Sequence, residues 1–127
     1  MKPRTRFPDE ALAAIRKKKI VGIRAGRAST HRVIGIWAVV VEGRVFVRSW
    51  SMNPRSWWRT FLEDPYGSVF IDDREFSIRT VQTRSERLKA LVSQAYKEQY
   101  NTPGSAQYVK DMSGRKSRDT TTELIPL

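Results

Sequence analysis

The spacing of apolar residues changes from a helical to a strand period near the start of the chain. Leu12 and Ile15 follow the helical spacing, so residues 7–19 predict a short helix. Three segments rich in β-branched residues then predict strands, and Glu42-Gly43 predicts a tight turn between the last two. These segments are 19–26, 32–42 and 44–50. In the last of them, strand alternation predicts one face with Val45, Val47 and Ser49 and the opposite face with Phe46, Arg48 and Trp50.

Helical and strand patterns alternate again in the next part of the chain. Asn53-Pro54 suits a helix start, and Asp64-Pro65 suits the end of the same helix. Between them, one apolar face is predicted at helical spacing. It consists of Trp57, Trp58, Phe61 and Leu62. Residues 67–82 then predict two strands about a short acidic turn.

The last part of the chain predicts a helix, a loop and a strand. Thr83 and Glu86 have the spacing of a capping box, and apolar residues continue the helix to about residue 100. Residues 101–119 are poor in apolar residues, which predicts a long loop, and 123–127 predict a short strand. Because tight turns join the strands, we expect a mostly antiparallel sheet curled into a barrel.

The length of 127 residues predicts a single domain, 1–127, in which residues 1–19 hold an N-terminal helix. The absence of cysteine excludes a disulfide framework, a thiolate metal site and a cysteine nucleophile, and it fits a cytoplasmic location. No apolar stretch approaches the roughly 18 residues of a membrane span, so no membrane partner is expected.

The chain is strongly basic, with 24 Lys and Arg against 13 Asp and Glu and a formal net charge of +11. A field of that strength attracts anions in general, including nucleic acid, acidic lipid and phosphorylated small molecules. Residues 1–35 carry ten Lys or Arg, whereas 61–75 carry five acids and one arginine. This concentration favours a binding site over charge that serves only solubility.

Residues that could perform catalysis are scarce, and no catalytic residue is predicted. His31 lies in a turn without a second histidine, so neither a metal site nor a Ser-His-acid triad is expected. Asp72-Asp73 between two strands predicts a hairpin turn rather than a pair of catalytic carboxylates. The glycines match neither the Walker nor the dinucleotide spacing, which disfavours conventional ATP and NAD sites.

The segment 48–65 combines three of the four tryptophans with three arginines. A strand end carrying Arg48, Ser49 and Ser51 meets a predicted helix start carrying Arg55 and Ser56. Backbone N–H groups, hydroxyls and guanidinium groups are the donors that a phosphate needs, and nearby tryptophans suit stacking on a flat ring. From these residues alone, phosphate binding and simple surface charge remain equally open.

Several short motifs resemble those of the split-barrel flavin-binding superfamily over about residues 20–127. Within it, the chain resembles the deazaflavin-dependent nitroreductase-like proteins and a related bacterial family of uncharacterised function. The run Gly26-Arg27-Ala28-Ser29 followed by Arg32 is similar to their glycine-arginine turn. Asn53-Pro54 with Trp57-Trp58 is similar to their Asn-Pro-aromatic helix.

This resemblance implies a mainly β (α+β) fold, a six-stranded antiparallel split β-barrel with flanking helices of the pyridoxamine-phosphate-oxidase-like kind. It implies a homodimer with FMN or a deazaflavin in a groove near the dimer interface, and an oxidoreductase acting on a small molecule. The residues implied in cofactor binding are Arg48, Ser49, Ser51, Arg55 and Ser56, with Arg32 and Trp37 on the preceding strand.

Two other functions are compatible with the sequence. The first is a nucleic-acid-binding barrel, in which basic residues contact the phosphate backbone and exposed aromatic residues stack on bases. The second is a barrel without a cofactor that acts as a binding module. The substrate, and the choice between FMN, a deazaflavin and no cofactor, cannot be read from the sequence.

Overall fold

The structure, a computed structural model, describes residues 6–18, 20–26, 32–49 and 57–127. Within these ranges six strands form a closed barrel in which every neighbouring pair is antiparallel. The order around the barrel is β1-β2-β3-β6-β5-β4. The strands are β1 (Ile20–Ala25), β2 (Ile34–Val41), β3 (Arg44–Val47), β4 (Tyr66–Ile71), β5 (Arg74–Gln82) and β6 (Thr122–Pro126).

Five helices are described around this barrel: α1 (Asp9–Lys18), α2 (Trp57–Glu63), α3 (Glu86–Gln99), α4 (Ala106–Met112) and α5 (Arg115–Arg118). The sequence-based expectation of a six-stranded antiparallel barrel with flanking helices is therefore confirmed. The helix start predicted at Asn53-Pro54 and the strand residue Trp50 lie outside the described residues.

Two tight turns join neighbouring strands at the same end of the barrel. Glu42 and Gly43 connect β2 to β3 with φ of 55° and 72°, the left-handed conformation that two-residue hairpins favour. Asp72, with φ of 55°, and Asp73 connect β4 to β5. Both predicted turns are thus confirmed, and the acidic pair belongs to a hairpin.

Apolar side chains are buried in two places, inside the barrel and beneath α3. Val45 and Val47 on β3 belong to the barrel core, together with Leu12 and Ile15 of α1. Phe46 lies on the opposite face of β3 and packs in a second cluster with residues of α3. The alternation predicted for β3 is therefore confirmed, and it separates the two cores.

Three local predictions were wrong. The N-cap of α3 is Ser85, whose side chain accepts a hydrogen bond from the Leu88 amide. Thr83 lies two residues before this cap, and its Oγ1 accepts a hydrogen bond from the Ser85 amide instead. Residues 101–119 contain α4 and α5 rather than one long loop, because Val109 and Ser117 anchor short helical turns by burial. Leu62 is 47 % exposed, so the buried face of α2 consists of Trp57 and Phe61.

Candidate functional site

One end of the barrel, here called the α2 end, gathers most of the residues that the sequence singles out. It is formed where β1, β3 and β5 finish and where β2, β4 and β6 begin. The segments 26–32 and 48–56 both leave the barrel here, and α2 packs against β1 at this end. The opposite end, here called the α1 end, carries α1 and the Glu42-Gly43 and Asp72-Asp73 turns.

The Arg48 side chain is buried and is held by hydrogen bonds within the protein. It is 1 % exposed. Its guanidinium donates to Thr121 Oγ1 at 2.8 Å, to Ser93 Oγ at 2.8 Å and to the Lys89 carbonyl at 2.7 Å. Burial lowers the pKa of Arg48 to about 10, so the group remains charged at neutral pH. Arg48 therefore ties the end of β3 to α3 and to the turn before β6.

The backbone of Ser49 is held on both sides by hydrogen bonds. Its amide donates to Thr120 Oγ1 at 2.8 Å, and its carbonyl accepts from Ser117 Oγ at 2.7 Å. Both partners are buried residues of the segment that precedes β6. The backbone is therefore held by two hydrogen bonds at Ser49, directly before the 50–56 segment begins.

The other side of that segment is equally well anchored. Trp57 is buried in the barrel core, and Trp58 Nε1 donates to Gln82 Oε1 at 2.8 Å. The same oxygen accepts from Thr122 Oγ1 at 3.2 Å. The predicted ligands Ser51, Arg55 and Ser56 lie between these anchors and outside the described residues.

The two weaker candidates lie on or beside β2. Arg32 is exposed just before the strand. Trp37 is half-buried, stacks on Tyr100 with ring centroids 4.2 Å apart, and meets the exposed Tyr108 edge-on at 5.8 Å. Its carbonyl accepts the Tyr96 hydroxyl at 2.9 Å. Trp37 thus joins β2 to α3 and leaves part of its ring at the surface.

Burial raises the pKa of both tyrosines beneath Trp37. Tyr96 is fully buried, and the Tyr100 hydroxyl donates to the Ala38 carbonyl at 2.9 Å. The stack is therefore neutral over the physiological range, and it contributes apolar area and hydrogen bonds rather than charge.

Ion pairs occur at both ends of the barrel. Beside the α2 end, Lys89 pairs with Glu86 and Asp119, and Arg118 pairs with Glu86. At the α1 end, cations meet acids in Lys18–Asp72 at 2.5 Å, Arg74–Glu10 at 3.5 Å and Arg87–Glu42 at 2.6 Å. At the α2 end, four arginines form no ion pair with any residue that the structure describes. They are Arg24, Arg32, Arg79 and Arg84. No ion pair within the described residues neutralises these four charges.

Sequence reasoning missed Arg24, Arg79 and Arg84 as members of this basic end. Each is an ordinary arginine within or beside a strand, and only the closed barrel brings β1 next to β4 and β5. The predicted hairpin between β4 and β5 could have revealed the position of Arg79, because the register of this hairpin places Arg79 opposite Tyr66 at the start of β4.

The fold defines the chain as a six-stranded antiparallel β-barrel protein with a basic end. A family profile described as "Uncharacterized protein conserved in bacteria (DUF2255)" matches residues 11–124. The chain therefore belongs to the DUF2255 family of bacteria, which agrees with the part of the predicted resemblance that concerns a bacterial family of uncharacterised function.

The barrel is similar to the crystal structure of conserved hypothetical protein Rv2991 from Mycobacterium tuberculosis. The TM-score is 0.64 at 12 % sequence identity, and the match covers 100 % of this chain and 84 % of that one. At this identity the likeness establishes the fold alone. No curated protein matches the chain. None of the helices in the described ranges is long and apolar enough to cross a membrane.

Proposed function

We propose that the chain binds a phosphorylated, flat cofactor of the flavin type, FMN or a deazaflavin, at the α2 end and serves as an oxidoreductase on a small molecule. The observation that carries the proposal is the group of four arginines at the α2 end, Arg24, Arg32, Arg79 and Arg84, none of which forms an ion pair with a described residue. Fixed positive charge next to a low-dielectric wall raises the local concentration of an anion and favours its binding.

The residues proposed to contact the phosphate are Ser51, Arg55 and Ser56, which connect two rigid anchors. Ser49 fixes the start of this segment and Trp58 fixes its end. A short connection between fixed points loses little entropy when it closes on a ligand, which favours binding. Arg48 is proposed to contribute its charge from the end of β3, and Arg32 and Trp37 are proposed to contact the ring or its substituents.

A second subunit is proposed to pack on the outer face of β1 and β2, as the resemblance implies. Ile20 and Val33 are 56 % and 42 % exposed there. Between them Gly22 and Gly35 lie opposite each other in the sheet, so this face is flat as well as apolar. Exposed, flat apolar surface is typical of a protein interface. When bound, the flavin would supply the hydride chemistry, while the protein binds and orients it.

An absorption spectrum of the purified protein, followed by FMN and deazaflavin titrations, tests this proposal. Arg55→Ala should weaken cofactor binding about tenfold or more, since a hydrogen bond to a charged group contributes roughly 1.5–3 kcal/mol. Arg74→Ala, which removes a cation at the α1 end, is the matched control and should leave the affinity unchanged. Absence of binding to either cofactor would refute the proposal and favour a barrel without a cofactor.

Nucleic acid is the second candidate ligand, and the spread of the arginines favours it. Arg24 and Arg79 lie on the outer wall of the barrel, and Arg84 lies beside the end of β5, beyond the reach of one phosphate group. Binding to polynucleotides that weakens steeply with salt, together with no affinity for flavins, would support this function.

A further inference from the structure

A cleft opens on the outer wall of the barrel across β1, β4 and β5. Its volume is about 430 Å³. It lies within the range of roughly 300–1,000 Å³ that is typical of small-molecule sites. The polar side chains that line the cleft include Arg24, Tyr66, Ser68, Glu75 and Ser77.

The strand register places the polar side chains of the cleft in one row. Arg24 lies opposite Ser68, and Ser68 lies opposite Ser77. Directly opposed residues of antiparallel strands point to the same face, so one guanidinium and two hydroxyls line up across three strands. With neighbouring strands about 4.8 Å apart, the row is roughly 10 Å long.

The two charges of the cleft stand on either side of Ser68. Glu75 accepts a hydrogen bond from Ser68 Oγ at 3.0 Å. The Arg24 guanidinium lies 5.5 Å from the centroid of the Phe70 ring, which positions it without using its N–H groups. Arg24 and Glu75 form no ion pair with each other. A cation and an anion are thus both presented to the same space.

Two glycines fix the backbone along one edge of the cleft, at the end of β1 and the start of β4. Gly26 has φ of 92° and donates its amide to the Tyr66 carbonyl at 2.9 Å, so β1 ends in a conformation that other residues rarely adopt. A Cβ at Gly67 would overlap the Arg24 carbonyl oxygen and would lie 2.9 Å from Phe61 Cε1. The backbone of this edge is therefore tightly determined.

We propose that this cleft binds a small molecule with two polar ends. Its carboxylate or phosphate group would bind Arg24 and the Ser77 hydroxyl, since the Ser68 proton is donated to Glu75, and an N–H or O–H donor at its other end would bind Glu75. Aminocarboxylates have this chemistry. The proposal goes beyond the cofactor function, because it needs neither a flavin nor the 48–56 segment.

Titrations of the full-length protein, followed by amide chemical shifts and by calorimetry, provide the test. The probes are 4-aminobutyrate, butyrate and inorganic phosphate. We expect 4-aminobutyrate to shift the amides of residues 24, 68 and 77 and to bind more tightly than butyrate. Arg24→Met, which keeps an unbranched apolar side chain beside Phe70, should weaken the binding of each anionic probe about tenfold or more.

Two further variants separate specific recognition from general attraction. Glu75→Gln should abolish the preference for 4-aminobutyrate over butyrate. Arg79→Met removes an exposed cation on β5 that does not line the cleft, and it should leave binding unchanged. Equal losses in Arg24→Met and Arg79→Met, or no shift at residues 24, 68 and 77, would overturn the proposal. Flavin affinity in Arg24→Met that equals wild type would show that the two sites are separate.

Discussion

The two ends of the barrel are built from the same strands but use their charged residues differently. At the α1 end, exposed cations meet acids, and α1 contributes Leu12 and Ile15 to the core. At the α2 end, Arg48 is buried in hydrogen bonds while other arginines stay at the surface without an acid. Positive charge is therefore structural where it is buried, as in Arg48, and we propose that the exposed arginines bind a ligand.

The largest expected effect comes from removing the buried arginine. Arg48→Ala should lower the free energy of unfolding by roughly 3–5 kcal/mol, because it leaves a cavity and deprives the Thr121, Ser93 and Lys89 groups of their donor. Chemical denaturation measures this change. Arg79→Ala, at an exposed position of the same end, is the control and should change stability little. Equal stability of the two variants would contradict the structural role of Arg48.

A smaller loss is expected where β1 and β4 approach most closely. Gly67→Ala should cost about 2 kcal/mol, because the added methyl group meets backbone and a buried aromatic ring that cannot both move aside. Gly104→Ala is the matched control, since a Cβ there has nothing within 4 Å. A thermal or denaturant scan of both variants checks the prediction. A neutral Gly67→Ala would mean that the α2 end is loosely packed.

Alkaline pH should weaken the layer between α3 and the barrel. Burial raises the pKa values of Tyr96 and Tyr100, so their stabilisation is complete below the unfolded pKa near 10 and is lost as pH rises above it. Each tyrosine then contributes a loss of about 1.4 kcal/mol per pH unit. Arg48, whose pKa is lowered, contributes a change of the opposite sign above pH of about 10.

Denaturation midpoints measured between pH 9 and 11 test this sign. Tyr100→Phe should flatten the decline by about 1.4 kcal/mol per pH unit, because one of the two titrating hydroxyls is absent. An unchanged slope in this variant would show that Tyr100 ionises as readily in the folded as in the unfolded protein.

The smallest effect is expected from the surface pairs of the α1 end. Arg74→Ala removes an ion pair whose partners are 53 % and 74 % exposed, so it should cost no more than about 0.5 kcal/mol. Its anion affinity should equal that of wild type, because the lost charge lies far from the α2 end. A loss of ligand affinity in this variant would erase the distinction between the two ends.

Much of the fold could be predicted because its signals are local. The alternation in β3 and the Glu42-Gly43 turn follow from neighbouring residues, and both are present. The helices at 106–112 and 115–118 could not be predicted from polar composition, since burial of Val109 and Ser117 depends on contacts with distant segments. The choice of Ser85 rather than Thr83 as the N-cap of α3 could not be predicted either, because it depends on where β5 ends.

The candidate site was predictable in part. The sequence placed Arg48 at the end of a strand, on the side of Phe46, and that side proved to be the one beneath α3. Alternation cannot tell whether such a face is open or covered by a helix, so the burial of Arg48 was not foreseeable. The position of Arg24 beside Ser68 required the closure of β1 on β4, which no local pattern encodes.

The most direct test of the central claim is a titration of isotopically labelled protein with FMN, followed by a deazaflavin, in which amide shifts are mapped onto the two ends of the barrel. We expect saturable changes at residues 32–34, 47–49 and 79–84, with residues 10–18, 42–44 and 72–74 unaffected. Changes that concentrate at the α1 end, or that spread evenly over the barrel, would contradict it.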